Sequence, residues 1–139
     1  MTMRPIMIVE DNPMDLDLTQ RAFKKHEILN PVIIARDGVE AVERLDTLKA
    51  GMDLPVMVLL DLKLPKKDGF EVLTKIKTNS FLSSIPVIVL TSSTDSGDIK
   101  RAYHAGANSY LIKPVDFSMF IDLVKQIYEY WSNLNILPG

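Results

Sequence analysis

The sequence predicts an α/β domain in which five parallel strands form a doubly wound sheet with helices on both faces. Two observations carry this reading. Five short apolar runs, at residues 5–9, 31–35, 56–60, 86–90 and 109–112, lack the polar alternation of half-exposed strands. Each run is followed by a stretch with helical spacing, and strict strand-helix alternation implies right-handed crossovers between parallel strands. In such sheets, functional groups gather beyond the carboxyl ends of the strands.

The elements follow in order. The first strand, P-I-M-I-V, runs into Glu10 and Asp11. Asn12 and Pro13 suit the N-cap and first position of a helix whose face is Leu16, Thr19, Gln20, Ala22 and Phe23, ending at Lys24 and Lys25. The second strand, P-V-I-I-A, carries nothing reactive after Ala35, and Asp37-Gly38-Val39-Glu40 resembles a capping box opening a helix with Val42 and Leu45 inward, ending before Gly51. The third strand, V-M-V-L-L, is the most apolar and is closed by Asp61. A carboxylate there is costly unless something pairs with it, which marks Asp61 as the candidate working residue. The loop Leu62-Lys63-Leu64-Pro65-Lys66-Lys67 leads to Asp68, a helix cap, and Val72, Leu73 and Ile76 give the third helix its face, ending near Asn79.

The fourth strand, P-V-I-V-L, runs into Thr91, Ser92 and Ser93. Its helix, residues 95–105, is the least apolar, with Ile99, Ala102 and Tyr103 as inward candidates and Gly106 beyond its end. The fifth strand, S-Y-L-I, ends at Lys113-Pro114, and Asp116 caps a last helix with Phe117, Phe120, Leu123, Val124, Ile127 and Trp131 as its apolar stripe. If the sheet order is 2-1-3-4-5, strands one and three are central neighbours, their acids converge, and the silent second strand lies at an edge.

Composition limits the alternatives. A chain of 139 residues makes one domain, and a net charge of -2 offers no general attraction to nucleic acid or to an anionic membrane. There is no cysteine, hence no disulfide or thiolate metal site, and no apolar run reaches the roughly 18 residues of a membrane span. A cytoplasmic location is the expectation.

Three converging carboxylates repel one another, so either some stay protonated or they share a divalent cation; a hard cation is the better fit, since an oxygen-only donor set suits Mg²⁺ or Mn²⁺. A lysine ammonium and a threonine hydroxyl opposite them suit phosphoryl oxygens, and an aspartate can be the nucleophile that forms an aspartyl phosphate. Asp68 reads as a cap only, Lys63, Lys66 and Lys67 as a solvated loop, and His26 and His104 have no metal-binding pattern. No second aspartate lies two residues beyond Asp61, and no glycine-rich nucleotide loop is present, which argues against a phosphatase or nucleotide enzyme.

These residues resemble the receiver domains of two-component response regulators, with their flavodoxin-like (βα)5 fold. The match spans residues 3–130, and rests on Glu10-Asp11, Asp61 with D-L-K-L-P-K-K-D-G, Thr91, and Lys113-Pro114. The resemblance implies that Asp61 is the phospho-acceptor. It implies that Asp11, Asp61 and the backbone carbonyl of Lys63 bind Mg²⁺, with Glu10 acting through water. It further implies that Lys113 holds the phosphoryl group, that Thr91 and Tyr110 form a switch pair, and that the Lys113-Pro114 bond is cis. Within the family, E-D-N-P, R-D-G-V-E-A, K-P-V-D and an aromatic end finishing in L-P are similar to the small stand-alone regulators of cyanobacterial-type phytochrome histidine kinases. That implies a single receiver domain over 1–139, a sensor histidine kinase as partner, and a homodimer, for which the tail 131–139 is the expected surface. The downstream target is not named by the sequence.

Overall fold

The computed structural model describes residues 3–138. Five parallel strands, β1 (Ile6–Val9), β2 (Val32–Ala35), β3 (Met57–Leu60), β4 (Val87–Thr91) and β5 (Ser109–Ile112), form one sheet in the order β2-β1-β3-β4-β5. The expected order is therefore the observed one, with β2 at an edge. The helices α1 (Pro13–Lys25), α2 (Gly38–Asp46), α3 (Gly69–Thr78), α4 (Ser96–His104) and α5 (Phe117–Tyr128) alternate with the strands, and α5 continues into a π-helical turn, Glu129–Leu134.

The strands β1, β3 and β4 lack polar alternation because both of their faces are covered. Met7, Val9, Val58, Leu60, Val87 and Val89 point to a core closed by α2, α3 and α4, with Leu45, Leu73 and Ile76 among its helical members. Their neighbours Ile6, Ile8, Met57, Leu59, Ile88 and Leu90 point the other way, to Leu16 and Phe23 of α1 and Phe120, Ile121 and Val124 of α5. Successive residues thus serve opposite layers, as the two-residue period of a strand requires.

Every helix starts on a polar cap. Asn12, Asp37, Asp68, Asp95 and Asp116 each accept hydrogen bonds from amides of the following turn. The caps give Asp37, Asp68, Asp95 and Asp116 a structural role and leave Glu10, Asp11 and Asp61 at the strand ends without it. Three side chains depart from the expected faces: Gln20 is exposed, as are Tyr103 (51%) and Phe117 (51%). In α4, Ala102 is the buried residue and Ile99 is half-buried, so the small contact face is narrower than the helical period implies. The helix α2 stops at Asp46, and Thr91 is the last residue of β4 rather than the first of a loop.

Two glycines set the loops that flank the third strand. A Cβ on Gly69 would lie 2.4 Å from the Asp61 carbonyl oxygen, and one on Gly38 would lie 1.6 Å from the Lys67 carbonyl oxygen. Hydrogen side chains are what let α3 start directly against the end of β3 and let the β2–α2 turn pack on the β3–α3 loop.

Candidate functional site

Sheet register places the site. Val9 pairs with Leu60, and the Asp61 amide donates to the Val9 carbonyl at 3.0 Å, so Glu10 and Asp61 leave the core side by side. Leu60 pairs with Val89, and Thr91 with Ile112. Continuing those registers puts Thr91 one residue beyond the level of Asp61 and Lys113 one beyond Thr91. The Lys113 amide donates to the Thr91 carbonyl at 2.8 Å. Since strands sit about 4.8 Å apart, β5 is roughly two spacings from β3, and a long side chain is needed to cross β4.

Lys113 makes that crossing. Its Nζ donates to Glu10 Oε1 at 2.5 Å, to Asp61 Oδ2 at 2.8 Å and to Asp15 Oδ2 at 2.9 Å, with its side chain only 10% exposed. The other oxygen of Asp61, Oδ1, accepts from the Lys63 amide at 3.2 Å. Glu10, Asp11 and Asp61 each offer a carboxylate oxygen, and the three oxygens lie within 4.8 Å of one another. Glu10 and Asp61 are buried while Asp11 is exposed, so one member of the cluster opens the site to solvent.

The electrostatics follow from burial. Desolvation pushes the Glu10 carboxyl up to about 7, opposed by the hydrogen bond and charge of Lys113 and reinforced by the charge of Asp61. For Lys113, desolvation works against the ammonium, but the hydrogen bonds to Asp61, Glu10 and Asp15 outweigh it, and its pKa stands above the ordinary lysine value. The lysine is therefore the resident positive charge among the acids. A small cleft lined by Glu10, Thr19 and Asp61 among apolar strand residues has a volume of about 10 Å³, room for about one water.

On the far side of the site, Thr91 is fully buried, and its Oγ1 accepts from the Ser93 amide at 3.4 Å. The Ser93 carbonyl accepts from the Tyr110 hydroxyl at 2.9 Å, and Ser93 Oγ donates to Asp98 Oδ2 at 2.6 Å. Tyr110 is half-buried, and burial pushes its hydroxyl pKa up. Thr91 and Tyr110 are thus linked through Ser93.

The predicted residues largely assemble: Glu10, Asp11 and Asp61 form one carboxylate cluster, Lys113 bonds two of its members, and Thr91 stands at the adjoining strand end. One expectation is overturned. Among the described residues there is no cis peptide bond, so Lys113-Pro114 is trans. A proline bond prefers trans by only about 0.5–1 kcal/mol, and Lys113 reaches its three acids from the trans geometry. Two participants were not singled out from the sequence. Asp15 left a signal, since Asn12 already caps α1 and leaves the acid of its first turn without a capping role. Ser93 stood among the hydroxyls after the fourth strand, but nothing in the sequence distinguished it from Ser92. Asp68 is the cap it was expected to be, and Lys66 pairs with Asp37 at 3.3 Å.

A five-stranded sheet in this order, with acids from two central strands and a lysine from a third converging at its carboxyl edge, defines a receiver domain. The chain belongs to the response regulator receiver domain family, whose model matches residues 6–125. Among its relatives it is 46% identical over 135 residues to the probable methanogenesis regulatory protein FilR2 of Methanothrix harundinacea, covering 96% of this chain and 87% of that protein. It is also similar to the phosphorylated cyanobacterial phytochrome response regulator RcpA, with a TM-score of 0.91, 38% identity, and 99% and 100% of the two chains covered. The Mn²⁺-bound form of the response regulator Rcp1 matches with a TM-score of 0.88 and 38% identity over 98% and 99% of the chains. Receiver domains bind a divalent metal. The donor set here fits Mg²⁺ or Mn²⁺, because it consists of carboxylate oxygens, one of them open to solvent.

Proposed function

We propose that this chain is a signalling switch in which Asp61 accepts a phosphoryl group from a sensor histidine kinase in a Mg²⁺-dependent reaction. What carries the reading is the placement of the Lys113 ammonium 2.8 Å from Asp61 Oδ2, beside the three-carboxylate cluster. Asp61 oxygen attacks phosphorus as the bond from the donor to phosphorus breaks, and the electron pair leaves with the donor group, giving an aspartyl phosphate. Asp11, Asp61 and the Lys63 carbonyl would hold the cation, with Glu10 supporting it through water, and a bound cation offsets the negative charge of the acids and the phosphoryl oxygens. Lys113 turns its proton from Asp61 to a phosphoryl oxygen.

The new charge and acceptors beside β4 give the Thr91 hydroxyl proton an acceptor, and turning toward it draws Oγ1 away from the Ser93 amide. Because Ser93 also holds Tyr110 and Asp98, the start of α4 is the element that responds. Output then passes through protein contacts. The similarity to RcpA and Rcp1 supports a phytochrome-type kinase as the donor. A homodimer is supported by apolar side chains left exposed on α5 and the tail, among them Met119 (61%), Leu134 (71%) and Ile136 (91%). We read residues 1–139 as a single receiver domain in the cytoplasm. No helix among the described residues is long and apolar enough to cross a membrane.

The test is labelling by a small phosphodonor, followed by intact mass. A single phosphoryl group is expected on the parent protein, dependent on Mg²⁺ and absent in Asp61→Asn. Labelling that survives Asp61→Asn, or none in the folded, metal-loaded parent, sinks the assignment.

A further inference from the structure

An ammonium has three N–H donors, and Lys113 directs all three to carboxylates. Two of its partners, Glu10 and Asp61, belong to the cluster whose oxygens a cation draws on. The third, Asp15, does not. It stands on the first turn of α1, with its side chain 27% exposed, and its carboxylate is not occupied as a helix cap. Asn12 Oδ1 takes that role, accepting from the Met14 amide at 2.9 Å and the Asp15 amide at 3.3 Å. Leu16, Ala22 and Phe23 pack α1 against α5, so the Asp15 backbone is fixed by a packed helix rather than by a mobile loop.

We infer that Asp15 is a positioning residue for phosphoryl transfer, anchoring the Lys113 ammonium over Asp61 while the cation occupies the other acids. This rests on the reading of Asp61 as phosphoacceptor. Lysine is a point charge on a flexible four-carbon stem, and holding it in one geometry takes side-chain entropy. An ammonium whose bonds to Glu10 and Asp61 are weakened by a competing cation swings away unless a partner outside the cluster retains it. In the transfer step, the donor proton that Lys113 gives Asp61 turns to a phosphoryl oxygen, Asp61 oxygen bonds to phosphorus, and the donor group departs with its electron pair. The Lys113–Asp15 pair is unchanged throughout, so Asp15 touches neither the phosphoryl group nor the metal and acts only through the lysine.

The experiment compares the parent full chain with Asp15→Asn and Asp15→Glu, using Mg²⁺ with acetyl phosphate. Three quantities are read: the Mg²⁺ dissociation constant by calorimetry, the rate of phosphoryl gain by mass, and the slowly exchanging Lys113 ammonium resonance in the Mg²⁺-loaded protein. For Asp15→Asn the expectation is Mg²⁺ affinity within about twofold of the parent, labelling slowed by about tenfold or more, and loss of the ammonium resonance. Asp15→Glu recovers both labelling and resonance in part. A general structural defect moves Mg²⁺ affinity together with labelling, and that pattern overturns the inference, as does labelling in Asp15→Asn at or above the parent rate. Should the parent itself take no label, the phosphoacceptor reading fails, and the resonance alone decides Asp15: persistence in Asp15→Asn refutes the anchor and its loss supports it.

Discussion

Replacing Lys113 by Met removes the positive charge while keeping an unbranched side chain of similar length. In the metal-free protein Glu10, Asp15 and Asp61 then lose their shared cation at a site where the lysine side chain is 10% exposed. Removing one partner of a buried ion pair costs about 3–5 kcal/mol, and uptake of a proton by Glu10, whose carboxyl is already pushed up to about 7, holds the loss to the lower end. At about 2.1 cal/mol/K per residue, a chain of 139 residues has an unfolding entropy of about 290 cal/mol/K, so about 3 kcal/mol lowers Tm by about 10 °C. Mg²⁺ at 100 times its Kd stabilises a folded protein by about 2.7 kcal/mol, and more where the bare site is more negative. The Tm gap between variant and parent should therefore narrow when Mg²⁺ replaces EDTA. Differential scanning calorimetry in both conditions is the assay. A variant as stable as the parent in EDTA, or a gap that Mg²⁺ leaves unchanged, would show that Lys113 is not the charge that balances these acids.

Gly38→Ala gains up to about 1 kcal/mol of helix propensity. Its Cβ would nonetheless start 1.6 Å from the Lys67 carbonyl oxygen, where ordinary contact begins near 3.4 Å, so about 1.8 Å of separation must be found, 3.4 minus 1.6. Overpacking of that kind costs about 1–3 kcal/mol, so the expected result is a lower Tm with weaker Mg²⁺ binding, and an equal or higher Tm refutes it. Glu10 binds its proton more tightly folded than unfolded, so its contribution to metal-free stability is fully present below its ordinary pKa of 4.5 and is lost as pH rises through about 7. The same proton competes with the cation, so Mg²⁺ affinity should strengthen between about pH 6 and 8, and Glu10→Gln should flatten that dependence. A steep profile surviving Glu10→Gln assigns the proton elsewhere. Finally, a double-mutant cycle on Thr91→Ala and Tyr110→Phe, read by urea unfolding, should give a coupling of about 0.5 kcal/mol or more, because both side chains bond Ser93. Strict additivity would mean that the two hydrogen bonds on Ser93 form independently.

The layered fold was legible because β1, β3 and β4 are covered on both faces, which removes polar alternation and leaves unbroken apolar runs. The acids at the strand ends were legible because Asp37, Asp68, Asp95 and Asp116 each open a helix three-to-four-residue pattern, whereas Glu10, Asp11 and Asp61 do not. What escaped was tertiary. Asp15 and Lys113 are separated by 98 positions, and no local pattern says which first-turn acid a distant lysine will choose. Ser93 differs from Ser92 only in pointing inward, which depends on how β4 ends. Tyr103 and Phe117 occupy helical positions that periodicity assigns to the core, but both stand exposed because apolar period alone does not say how wide a face the neighbouring elements cover.

The charged site and the hydrogen bonds that join Thr91, Ser93 and Tyr110, the switch of the proposed function, share one edge of the sheet. Lys113 is tied to Thr91 through its backbone and to Asp61 through its side chain. Thr91 receives the Ser93 amide, and Ser93 in turn receives Tyr110 and holds Asp98 of α4. Charge placed on Asp61 therefore meets a lysine and a threonine whose other bonds already lead toward α4. Spatial continuity alone does not establish coupling, because a change at one end biases the other only if it stabilises two arrangements differently. Under the proposed function the difference is supplied by the Thr91 hydroxyl: moving to donate to a phosphoryl oxygen would lengthen its 3.4 Å contact with the Ser93 amide at the entrance to α4. Among the five α-helices α4 buries the fewest residues, Ala102 alone, so the element assigned the response under the proposed function is the α-helix with the smallest buried face.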